Sequence, residues 1–175
     1  MKHPQALTLA QKIQTHLREY CTMIEIAGSI RRGRPECGDV DLVVLPKPNA
    51  LADLKARCQQ RARVIQDGPQ NFICRLSGHV SVVQGFQLDI FIATPESDDM
   101  FTPSPTNFGS LMLCRTGSKE HNIFLIERAK EQGLRWQPYQ GILNAKNEII
   151  ASRTEEEIFT ALKLDYVPPD RREIL

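Results

Sequence analysis

Residues Ile26–Leu45 read IAGSIRRGRPECGDVDLVVL, and the fold turns on this stretch. A short apolar run breaks at Gly28-Ser29, crosses a turn rich in Arg and Gly, and resumes as a second apolar run with Asp39 and Asp41 at its mouth. The pattern predicts a strand, a phosphate-sized loop and a second strand. Side chains alternate faces along a strand, so carboxylates two positions apart point the same way, about 6–7 Å from one another. They repel unless a positive charge lies between them. Hard divalent cations such as Mg²⁺ meet that need, since they take carboxylate oxygens and are completed by substrate phosphates. Asp41 leads directly into Leu42-Val43-Val44-Leu45, a continuous apolar run expected of a strand covered on both faces.

The remainder of the chain supplies a setting for this stretch. With 175 residues, 41% apolar and 25% charged, it has room for one domain or two small lobes with a real core. Its five cysteines are scattered and include no Cys-x-x-Cys pair, which indicates neither zinc nor a disulfide framework and suggests a reducing, intracellular and cytoplasmic home. No apolar run reaches membrane-spanning length, so a soluble protein and no membrane partner are expected. A net charge of +1 predicts a weak, salt-sensitive grip on any nucleic acid.

Leu7, Leu9, Ala10, Ile13 and Leu17 fall at helical spacing and predict an amphipathic helix over 5–20. Residues 23–27 make the first strand of the pattern. Asn49 is placed to cap a helix over 50–61, and strands are expected at 72–76, 80–83 and 86–93. In the last of these, Asp89 stands alone inside QLDIFI. A lone acid in such a run needs a partner, which makes Asp89 the third metal ligand, on a strand beside Asp39 and Asp41.

Prolines at 95, 103 and 105, mixed with acids, mark a connector, and the expected boundary divides a catalytic lobe, 1–99, from a second lobe, 100–175. That second lobe should hold a helix over 108–114, a turn at 115–118 and a helix over 119–132 capped by Ser118. Short strands near 134–137, 142–143 and 148–150 follow, then a helix capped by Thr154 with Glu155, Glu156 and Glu157 in its first turn, where acids suit the helix dipole.

The segments GSIRRG (28–33), GDVD (38–41), LDIF (88–91), RTGSKEHN (115–122) and DYVPPDRRE (165–173) together resemble the family X DNA polymerases, the DNA polymerase beta group of nucleotidyltransferases. The likeness runs in order through nearly the whole chain. It implies an α+β fold, with a mixed-sheet palm and a small α/β thumb. It further implies that Asp39 and Asp41 hold two Mg²⁺ or Mn²⁺ ions and that Asp89 holds the catalytic one beside a primer 3′-hydroxyl. Ser29, Arg32 and Gly38 match positions that hold the β- and γ-phosphates of a nucleoside triphosphate, and Gly28 allows close backbone approach. Asn122 matches a contact to the minor-groove edge of the incoming base, and Gly117 lies beneath its sugar.

The implied activity is nucleotidyl transfer to a primer 3′-hydroxyl on primer-template or gapped DNA, in short-gap repair, by a monomer working with repair partner proteins. The alternatives are a transferase acting on a small molecule or protein, and a non-catalytic nucleic-acid-binding module. Family members commonly begin with a lyase domain and a helix-hairpin-helix, for which these residues leave no room, so abasic-sugar removal is not expected. Cys114 and Arg115 stand where DNA-synthesising members often carry an aromatic pair, which predicts weak discrimination between deoxy- and ribonucleotides. Ile126 occupies a position that is basic in template-contacting members.

Overall fold

The structure, a computed structural model, describes residues 1–77, 85–100 and 103–173. The chain folds as two units, Met1–Ile92 and Ala93–Leu175. The boundary expected at 99/100 falls inside the connector that this division gives to the second unit.

The first unit is built on strand β2, Asp39–Pro46. Its Leu42, Val43, Val44 and Leu45 are all buried, as the unbroken apolar run requires. Strands β1 (Cys21–Ile26), β3 (Ala62–Asp67), β4 (Asn71–Leu76) and β5 (Gln87–Ile92) complete a sheet of order β1-β2-β5-β4-β3. Within this sheet β2 and β5 run parallel, and the other neighbours are antiparallel. Helices α1 (His3–Leu17) and α3 (Leu51–Gln59) bring Ala6, Ala10, Leu17, Leu54 and Cys58 into one core with Val40, Leu42, Val44, Phe72, Cys74, Leu88 and Ile90. Each of those strand positions belongs to the same period-2 set, so one sheet face carries the helices.

Three local features depart from expectation. The phosphate-sized loop begins as a helical turn, α2 (Gly28–Arg31), in which Arg32 N donates to Gly28 O and Gly33 N to Ile30 O. Asn49 does not cap α3; it sits at φ +64°, a conformation asparagine tolerates, and the capping position falls to Ala50, whose methyl cannot accept a hydrogen bond. The helix ends at Gln59, two residues short of the expected 61, and a strand that the sequence pattern did not predict, β3, follows. Its alternation is broken by a register shift between Val64 and Gln66 that leaves Ile65 about half exposed, and this masks the period of 2. The strand expected at 80–83 lies outside the described residues.

The second unit holds α4 (Phe108–Thr116), α5 (Lys119–Glu131) and α6 (Glu155–Ala161), with the antiparallel strands β6 (Arg135–Gln137), β7 (Gly141–Leu143) and β8 (Ile149–Ala151). Its core joins Leu113, Leu125, Trp136, Ile142, Ile158 and Phe159. Both expected caps form: Ser118 Oγ accepts from His121 N, and Thr154 Oγ1 from Glu157 N. The acidic run does more than suit a dipole, because Glu155 is buried and accepts from Arg172 Nη1 at 2.8 Å. Arg172, in the tail, is the largest fully buried side chain among the described residues.

Candidate active site

The first unit gathers the three aspartates. Val40 and Leu42 face the helices, so Asp39 and Asp41 project from the other face of β2. The parallel pairing sets Asp41 opposite Asp89 and Asp39 opposite Gln87. Oxygens of Asp39, Asp41 and Asp89 lie within 4.8 Å of one another, and all three residues are half-buried. Three hard carboxylates at that separation are a donor set for a hard divalent cation. Gln87, which the sequence reading did not single out, donates from Nε2 to Asp89 Oδ1 at 2.8 Å and so fixes one face of that carboxylate. A polar residue two positions before a lone strand acid was the available signal, since the two share a face.

Gly28 owes its identity to the same cluster. A Cβ built there would lie 1.8 Å from Asp41 Oδ2, and the residue has φ +60°. The glycine thus makes room for the Asp41 carboxylate, which a side chain at this position would displace. Next to it, Ser29 Oγ is buried and has no hydrogen-bond partner among the described residues. A buried hydroxyl of this kind is costly unless something bound supplies the partner. Arg32 is half-buried on the same turn. Gly38 has open space where a Cβ would point, so its surroundings within the protein do not demand glycine. Beneath the site, burial and then the charge of Asp89 push the Cys74 thiol up to about 11, which keeps it protonated and unreactive.

Cys114, Arg115, Gly117 and Asn122 all lie in the second unit, about the junction of α4 and α5. Asn122 Nδ2 donates to Cys114 O at 2.8 Å, while Asn122 Oδ1 is buried without a partner among the described residues. Gly117 takes φ +70° between the helices. Arg115 is braced: Nη2 donates to the Tyr139 hydroxyl at 3.1 Å and the guanidinium lies 5.6 Å from the centre of that ring. The Arg115 side chain is therefore held against Tyr139. Ser118 Oγ, besides capping α5, donates to Arg172 O at 2.7 Å and ties the tail to this junction. His121 is fully buried with neither ring nitrogen hydrogen-bonded among the described residues, and burial, reinforced by the Arg172 charge, lowers its pKa to about 4.

A mixed-sheet unit with three clustered aspartates, followed along the chain by a small α/β unit, is the α+β palm-and-thumb fold of the polymerase beta type. The family models agree: residues 4–84 match the DNA polymerase beta palm and residues 111–173 the DNA polymerase beta thumb. The chain belongs to the DNA polymerase beta group, family X. It is 28% identical over 171 residues to the DNA polymerase/3′-5′ exonuclease PolX of Bacillus subtilis (strain 168), a match that takes in 96% of this chain and 28% of that protein. The chain thus spans little more than a quarter of that relative's length. Among solved structures it is similar to Leishmania infantum polymerase beta in a ternary P/T complex, with a TM-score of 0.78, 18% identity, and coverage of 98% of this chain and 76% of that one. A ternary gap complex of the same polymerase gives a TM-score of 0.78 at 17% identity, covering 99% and 70%. Among the described residues, no helix is long and apolar enough to cross a membrane.

Proposed function

We propose that the chain catalyses nucleotidyl transfer, adding nucleotides from nucleoside triphosphates to the 3′-hydroxyl of a DNA primer, in short-gap repair synthesis. The convergence of Asp39, Asp41 and Asp89 within 4.8 Å carries this reading. Asp39 and Asp41 would hold two Mg²⁺ or Mn²⁺ ions and Asp89 the catalytic one. Such ions, when bound, lower the hydroxyl pKa and neutralise charge on the departing pyrophosphate.

The protein's own groups do the remaining work. Ser29 Oγ and the Arg32 guanidinium hold the triphosphate through charge-assisted hydrogen bonds. Asp89, held by Gln87, orients the 3′-oxygen and accepts its proton as that oxygen attacks the α-phosphorus; the bond to the bridging oxygen breaks and pyrophosphate leaves. Asn122 and Gly117 are assigned to the base and sugar of the incoming nucleotide, with Cys114 and Arg115 at the sugar. Primer-template or gapped DNA is the substrate, and repair proteins are the expected partners.

Extension of a labelled primer across a gap tests the reading directly. Asp89→Ala should abolish extension with the melting temperature unchanged or raised, because removing a half-buried carboxylate relieves a desolvation cost. Undiminished extension by this variant would remove Asp89 from the chemistry.

A further inference from the structure

We infer that Arg75 and Arg63 form a track for the backbone phosphates of the primer strand, leading away from the aspartates across β4 and β3. The inference rests on the transfer reading above. The sheet register places four residues in one cross-strand row: Asp39 pairs with Gln87, Gln87 with Arg75, and Arg75 with Arg63. Their neighbours Val40, Leu88, Cys74 and Val64 pack into the helix-covered core, so all four side chains leave the opposite face, the one that carries the triad. With strands about 4.8 Å apart, the Arg75 backbone lies about 10 Å from that of Asp39 and the Arg63 backbone about 14 Å.

Two cations directly opposite each other on neighbouring strands destabilise a sheet. Both arginines are exposed, and neither is paired with a carboxylate among the described residues. The arrangement works against stability and suits an anion that spans both positions. A guanidinium offers a forked, permanent charge for phosphate oxygens.

The sheet order identifies which anion. α2, with Ser29 and Arg32, packs on β2 at one flank of the triad, whereas β4 and β3 lie beyond β5 at the other. A triphosphate held at α2 leaves the second flank for the strand whose 3′-oxygen is at Asp89. That strand is a polyanion with phosphates at regular intervals, which a row of arginines follows and a small anion would not.

Fluorescence anisotropy of a labelled primer-template hairpin in EDTA, across about 25 to 200 mM KCl, tests the track. Each of Arg75→Ala and Arg63→Ala should reduce the magnitude of the log Kd against log salt slope by about 0.9, and the double variant by about twice that. Arg57→Ala, on α3 at the helix-covered face, should leave the slope as it is. Neutral methylphosphonate linkages near the primer 3′ end should weaken binding by the natural chain and not by the double variant. Melting temperatures of the arginine variants should be unchanged or higher, which separates lost contacts from lost fold.

An unaltered slope in the double variant, an equal loss in Arg57→Ala, sensitivity to methylphosphonates in the template strand instead, or no binding at the lowest salt would each overturn the track. Primer extension with Mg²⁺ is read in parallel. Slope losses as expected with no extension by the natural chain would overturn the transfer reading and leave the track standing, whereas extension with an unaltered slope would do the reverse.

Discussion

Gly28→Ala adds one methyl group at φ +60°, with its carbon 1.8 Å from Asp41 Oδ2. Real Cβ atoms essentially never approach closer than 3.0 Å, so the Asp41 carboxylate must retreat by more than 1 Å or β1 and β2 must part. Their antiparallel pairing, which runs from Cys21 opposite Pro46 to Ile26 opposite Leu42, resists the second course. Left-handed backbone costs a non-glycine residue roughly 1–2 kcal/mol. In a chain of this length that corresponds to a melting temperature lower by roughly 2–8 °C, well short of unfolding. Catalysis should suffer far more, because displacing a reactive group by about 1 Å costs on the order of 100-fold in rate, or about 2.7 kcal/mol. The measurement is kcat for single-nucleotide extension of a gapped primer, with Mn²⁺ affinity followed in the same variant. We expect a fall of about 100-fold in kcat and weakened Mn²⁺ binding. A variant within threefold of the natural chain in both would refute the argument that Gly28 exists to admit Asp41.

Two further outcomes follow from the second unit. His121, beside Arg172 and Glu155, has a folded-state pKa of about 4 against about 6.5 unfolded, so below about pH 6.5 the unfolded chain takes up a proton that the folded chain refuses. The stability present above that pH is therefore lost as pH falls towards 4, by up to about 3 kcal/mol, and His121→Phe should flatten this part of the melting-temperature profile; an identical profile in the variant would contradict it. On the proposed assignment of the small Cys114 to the nucleotide sugar, no aromatic wall stands there, so matched deoxy- and ribonucleotides should differ little in kcat/KM and Cys114→Tyr should widen the gap. Discrimination of many thousandfold in the natural chain would show that the backbone or the braced Arg115 already excludes the 2′-hydroxyl.

The sequence by itself determined what can be read within a few residues. Asp39 and Asp41 share a face because strand side chains alternate. Leu42 to Leu45 announced a buried strand. Ser118 and Thr154 cap their helices because each offers an oxygen to an N–H three residues on. Asp89 was legible as the one acid inside the apolar run LDIFI. Tertiary structure alone decided the relations between segments distant in the chain. The register that sets Asp89 opposite Asp41 belongs to a parallel pairing between strands nearly fifty residues apart, and its energy is spread along both. Only that pairing aligns Gln87, Arg75 and Arg63 with Asp39, and only the approach of Gly28 to Asp41 explains the glycine. Asn49 looked like a cap and became a left-handed turn because α3 starts one residue later than its side chain could serve. The Arg172–Glu155 pair, seventeen residues apart, had no local signature, since a buried arginine and a solvated one are the same letter until the tail folds over Phe159.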